Sequence, residues 1–150
     1  MIDYRHPDLT QHPPRSPRTR FGGFAHLPRL LDKARALAAG KHGPYAYDAM
    51  MDRHLFAFTG IEAAAFLRAV RTGKSDGEML AWVMAHLNPP RTAAEIVQWS
   101  SWFEALGPGG AKGHAWLGGR IASYGPHRED VRTWCEHLDL DDYTSFGGAA

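Results

Sequence analysis

Three short signatures between residues 59 and 95 constrain this chain more than anything else in it. Thr59 is followed three positions later by Glu62, Ser75 by Glu78, and Thr92 by Glu95. In each, a hydroxyl can accept from the third amide of a helix while the acid reaches back to the cap amide, so each reads as a helix start. Apolar residues at helical spacing follow every one. The stripes are Ile61, Ala65, Phe66, Ala69 and Val70; then Met79, Leu80, Trp82, Val83 and Leu87; then Ile96, Trp99, Phe103 and Leu106. Gly73, Pro89-Pro90 and Gly107-Pro108 punctuate them.

The flanking sequence extends the pattern. Leu27, Leu30, Leu31, Ala34, Leu37 and Ala38 form one stripe, with Pro28 suited to a first helical turn and Gly40 to the end. Residues 41–47 read as a turn and a short extended piece. Asp48 is expected to cap a short helix whose apolar face is Met51, Leu55 and Phe58. Residues 107–113 read as a glycine-rich loop, and Trp116, Leu117, Ile121 and Tyr124 as a helix weakened by Gly118 and Gly119. A last helix is expected from Gly125-Pro126, with Val131, Trp134, Cys135 and Leu138 inward and residues 139–150 frayed. Before all of this, residues 1–25 form an arm in which Pro7, Pro13, Pro14 and Pro17 remove backbone donors and favour extended conformations. No alternating run of useful length is present. The predicted architecture is all-α: an irregular helical bundle of six or seven helices over 26–150, with an extended Pro/Arg-rich arm over 1–25 packed on it.

A chain of 150 residues can bury a core without disulfides or a structural metal. Its single cysteine excludes an internal disulfide and fits a reducing compartment. The N-terminus lacks the apolar run of a signal peptide, and no window is apolar enough to span a bilayer. A cytoplasmic protein is expected. The net charge of +1 conceals an asymmetry: residues 1–41 carry eight Lys/Arg against three acids, and the remainder nine against thirteen. The basic end could meet an anionic partner or pack on its own acidic remainder.

Short motifs from Asp8 to Trp82 carry a resemblance. They run Asp8-Leu9-Thr10, Pro14-Arg15-Ser16-Pro17-Arg18, Gly22-Gly23, Leu27-Pro28-Arg29, Asp32-Lys33-Ala34-Arg35-Ala36, Gly40, Gly43, Tyr45, Tyr47, Asp52, Phe58-Thr59-Gly60-Ile61, Asp76-Gly77-Glu78 and Trp82. In this order they resemble a bacterial family catalogued as domain of unknown function 5069. The resemblance implies a small helical domain, and implies no reaction and no cofactor.

Two clusters could carry chemistry. In Arg29-Leu30-Leu31-Asp32-Lys33-Ala34-Arg35, one acid lies at three-residue spacing from two arginines on an otherwise apolar helix. With Arg15 or Arg20 from the arm this could hold a phosphate or carboxylate. It could equally be a solvated face, or a set of arginines stapling the arm down. The second cluster is Tyr45, Tyr47, Asp48, Asp52 and His54. Asp52 with His54 could perform acid–base work, and Tyr45 could donate to an oxyanion. The alternative is a capping Asp48 and tyrosines packed with polar tips outward. The expected ligand-binding set is Arg15, Arg20, Arg29, Asp32, Lys33, Arg35, Tyr45, Tyr47 and Asp52. Asp52, His54 and Tyr45 are the catalytic candidates should the protein be an enzyme.

Other motifs are weaker. No two of the nine histidines stand three or four apart, so no metal site is expected, although His86, His114 and His137 could meet from afar. Asp139, Asp141 and Asp142 fail a calcium loop at Thr144 and Ala150. The run Gly107–Gly113 lacks the order of a phosphate loop. Cys135 beside Trp134 and Leu138 reads as a buried thiol. The helix after Thr92 carries Glu95 and Glu104 and would repel phosphates, which argues against nucleic acid. Trp99, Trp102 and Phe103 share nearly one face, which makes a homodimer an expectation.

Overall fold

Helix α1 (Leu27–Ala38) is the axis of the molecule. Every residue from Phe24 through Ala36 is buried, so the charged side chains of this helix are packed inside along with its leucines. It starts without a side-chain cap, at His26 in a left-handed conformation with φ 69°. Its end is closed by Gly40 and by the Lys41 amide, which donates to Ala36 O at 2.7 Å.

The computed structural model describes all 150 residues. A two-residue hairpin, β1 (Arg20–Phe21) and β2 (Phe24–Ala25), turns at Gly22-Gly23 and leads into α1. Six further helices follow: α2 (Met50–Thr59), α3 (Ala63–Val70), α4 (Asp76–Ala85), α5 (Ala93–Ala105), α6 (Gly110–Tyr124) and α7 (Trp134–Ser145). The fold is therefore all-α, with seven helices and one minimal hairpin.

The main core lies where α1 meets α2 to α5, around Phe24, Leu27, Leu30, Leu31, Leu55, Phe66, Met79 and Val83. A smaller cluster of Leu117, Ile121, Val131 and Leu140 holds α6 to α7. Between them, Ala25, Met51, Phe103 and Cys135 join α7 to the body. The hairpin is clamped to α5 by Ser100, whose Oγ donates to Gly23 O at 2.6 Å and accepts from the Ala25 amide at 2.8 Å.

The capping boxes at Ser75–Glu78 and Thr92–Glu95 form as read. Thr59–Glu62 does not. Thr59 is the last residue of α2, and its hydroxyl turns back to Leu55 O at 2.9 Å, leaving Glu62 to start α3 without a side-chain cap. Asp48 is not a cap either. Its φ of 58° places it before the helix, and the Ala49 amide is satisfied instead by Asp52 Oδ2 at 3.1 Å. Helix α6 starts at Gly110, inside the expected loop, because Leu117 and Ile121 need a full helical face against α7. The final helix starts at Trp134, later than expected. Its cap is a further box, Thr133 with Glu136, and residues 126–133 form turns. Residues expected to fray continue as helix to Ser145, anchored by buried Leu140 and Asp142.

Candidate functional site

Four charged side chains leave α1 in two directions. Arg35 and Asp32 face the arm. The Asp32 carboxylate, fully buried, accepts from Arg15 Nη2 at 2.8 Å, from its Nε at 3.0 Å and from its backbone amide at 2.9 Å. Asp76 at the start of α4 takes Arg15 Nη1 at 2.8 Å and Arg35 Nη1 at 2.6 Å. Burial opposes ionisation of Asp76, and the two arginines outweigh it and hold its carboxyl below the usual range. Arg35 also donates to Tyr4 O at 2.9 Å. Asp32 thus pairs with the arm rather than with its helical neighbours. The arginines staple the arm down, and Arg18 on Asp139 and Arg20 on Glu104 do the same. The basic end packs on the acidic remainder of its own chain.

Arg29 and Lys33, one turn apart, face the opposite way. Lys33 Nζ lies 2.8 Å from Asp52 Oδ1 and 2.7 Å from Oδ2. The same Oδ1 is 2.7 Å from His26 Nε2. Burial lowers both His26 and Lys33 from their ordinary values. Burial acts against Asp52 as well, but His26 and Lys33 outweigh it and bring its carboxyl down to about 2. Nε2 of His26 is then the protonated nitrogen facing the carboxylate, and Nδ1, buried, has no hydrogen-bond partner. Arg29 Nη1 donates to Asp142 Oδ2 at 2.7 Å, which ties α1 to α7. Tyr45 donates to the other oxygen of Asp142 at 2.8 Å. Burial, with Asp142 adding to it, raises the Tyr45 phenol and keeps it neutral.

These groups form one wall of a cavity of about 850 Å³ between α1, the 43–51 segment, α6 and α7. Leu9, Met50, Met51, Trp116, Trp134, Leu138 and Phe146 supply an apolar lining. Met50, Trp116 and Phe146 are exposed and stand at its rim. His137 lines it too, hydrogen-bonded through Nδ1 to the Tyr124 hydroxyl and held neutral by burial. Asp141 and Asp142 complete the polar side.

Of the residues singled out from sequence, the cavity brings together Arg29, Lys33 and Tyr45, with Asp52 behind Lys33. Arg15, Asp32 and Arg35 belong to the arm network, and Arg20 to α5. Tyr47 donates to Ala63 O at 2.7 Å, and burial raises its phenol. His54 packs edge-on against Trp102, 5.5 Å between ring centres, and is not part of the cavity. Trp99 stacks between Phe58 and Phe103, while Trp102 is left 47% exposed. His26 and the apolar rim were missed, and the sequence raises His137 and Asp142 only as metal-site candidates, not for this cavity. The Thr133–Glu136 box could have revealed α7, but nothing local says that α7 lies across α1. No three His, Cys, Asp or Glu side chains converge as a metal site, so His86, His114 and His137 do not meet. Cys135 is fully buried, which pushes its thiol up to about 12. No helix is long and apolar enough to cross a membrane.

Comparison with curated proteins returns no match. The family described as a domain of unknown function (DUF5069) matches residues 11–144, which takes in the arm from residue 11 onward, α1 and all of α7 but its last residue. With the match running over most of its length, the chain belongs to that family.

Proposed function

We propose that this protein binds a small organic anion in the cavity between α1 and α7. The observation that carries this is the pair of buried cations, Arg29 and Lys33, set into one wall of an otherwise largely apolar cavity of about 850 Å³. That volume suits a small molecule or cofactor. The ammonium of Lys33 has three N–H groups and the guanidinium of Arg29 five, more than one carboxylate each can occupy. Asp141 and Asp142 stand on the same wall and would oppose a multiply charged phosphate. A singly charged carboxylate with an apolar body fits better: its head against Arg29 and Lys33, its body along Met51, Trp134 and Leu138.

The acid–base alternative loses the support of His54, which faces Trp102, and keeps only Asp52 and Tyr45. The test is a thermal-shift and calorimetric comparison of medium-chain and aryl carboxylates with their primary amides. The expected result is stabilisation by the carboxylate and not by the amide, lost in Arg29→Gln and weakened in Phe146→Asp at the exposed rim. Equal stabilisation by the amides, or none by any carboxylate, overturns the reading.

A further inference from the structure

We propose that Lys33 is a nucleophilic amine that forms an imine with an aldehyde or ketone carried by a ligand of this cavity. This rests on the preceding reading for the site, and adds a covalent step to it. Of the four lysines in the chain, Lys41, Lys74, Lys112 and Lys33, only Lys33 is buried, and it opens on the cavity. A lysine becomes nucleophilic near neutral pH when it is taken out of water and set beside another cation. Arg29, four residues earlier on α1, is that cation. Burial is the largest influence on Lys33 and lowers it, with Arg29 adding to that; Asp52 and Asp142 act the other way, and the lowering prevails.

The amine is held in place by a carboxylate in direct contact. Asp52 holds Nζ through both oxygens, and His26 holds Asp52 in turn at 2.7 Å. The step balances without any further reagent. The ammonium gives up one proton to solvent, and the neutral Nζ attacks the carbonyl carbon. The carbonyl π pair moves to oxygen, a proton moves from nitrogen to that oxygen, and a carbinolamine results. A proton from solvent then converts the hydroxyl to water, which leaves while the nitrogen lone pair forms the C=N bond. One ammonium and one carbonyl become one protonated imine and one water, with charge unchanged.

The experiment incubates the full-length protein with 2-oxohexanoate or hexanal and cyanoborohydride at neutral pH, then maps reduced adducts by peptide mass spectrometry. The expected result is modification of Lys33 faster than of Lys41, Lys74 or Lys112, with a pH midpoint below that of Lys112. A purely structural ion pair predicts the reverse, because the most buried and carboxylate-bound amine then reacts last. Lys33 reacting no faster than the exposed lysines overturns the proposal. Phe146→Asp, at the rim and away from the cluster, should slow Lys33 labelling and leave Lys112 unaffected; equal labelling in that variant also overturns it. Thermal shift by unreactive hexanoate in the same samples reads the anion site separately. Stabilisation without a Lys33 adduct removes only the imine, and absence of both removes the two readings together.

Discussion

Arg29 Nη1 donates to Asp142 Oδ2 across 2.7 Å, joining two residues that are 113 positions apart in the chain. Both are buried, and they form a direct ion pair. Removing one partner strands the other. Asp142→Ala is expected to lower stability by about 3–5 kcal/mol, the usual cost of an orphaned buried charge. It also removes the acceptor of the Tyr45 hydroxyl. Replacing both ends with apolar residues, as in Arg29→Met with Asp142→Leu, should recover most of the loss. Urea unfolding of the single and double variants checks this; a double variant no better than Asp142→Ala contradicts it.

Arg15 is the latch of the arm. It holds Asp32, which has no exposure, and Asp76. Arg15→Ala is expected to cost about 3 kcal/mol, because Asp32 is then left without its charge partner. The arm should loosen at the same time, and trypsin should cut after Arg18 and Arg20 sooner than in the parent. Unchanged cleavage would mean that buried Pro7, Leu9, Pro14 and Pro17 hold the arm alone.

Stability should fall in two steps as pH drops. Burial lowers His26 and His137 below 6.5, so the unfolded chain takes up these protons first. Stability from this source is intact above pH 6.5 and declines below it. Asp52 acts lower down. Its carboxyl is held at about 2 against an ordinary 3.8, so its contribution is whole above about pH 4 and is lost toward pH 2. The displacement corresponds to about 2 kcal/mol at roughly 1.4 kcal/mol per pH unit. Urea midpoints across pH 2–8 follow both steps. In Asp52→Asn the lower step should shrink, with Asp76 still contributing to what remains, and the upper step should persist; a parent curve flat from pH 6.5 to 5 would rule out the histidine step.

Gly60 and Gly73 both have positive φ, at 71° and 78°. They differ in what surrounds them. A side chain at Gly60 would run into the backbone carbonyl of Asn88, whose amide is bound to Thr59 O at 2.9 Å; nothing lies within 4 Å of one at Gly73. Gly73→Ala should therefore cost about 1 kcal/mol, the conformational term alone. Gly60→Ala should cost at least twice that, since rigid backbone must also move. Thermal unfolding of the two variants distinguishes them, and equal losses would contradict the packing argument.

Capping boxes set the helix starts at Ser75, Thr92 and Thr133; the first two match the sequence reading, while the third helix was expected earlier, from Gly125-Pro126. Ser75 with Glu78 and Thr92 with Glu95 fix their helix starts through bonds spanning three residues, and no distant contact is needed. The same reasoning failed at Thr59, because a hydroxyl can bond backward to its own helix as readily as forward to the next. At residues 139–145 it failed for another reason. That stretch carries three acids and little apolar pattern, and it is held as helix by Leu140 in the core and by Asp142 on Arg29.

The sequence by itself determined a helical chain with a proline-rich arm, and marked Arg15, Arg20, Arg29, Asp32, Lys33, Arg35, Tyr45, Tyr47 and Asp52 as one candidate binding set. Only the tertiary structure decided what those residues face. Helical spacing places Asp32 and Lys33 on particular sides of α1, but which side meets the arm and which the cavity depends on how α2, α4 and α7 pack around it. A charge on a helix is a solvated group or a buried partner according to what covers it, and the covering here comes from residues as far along the chain as Asp142.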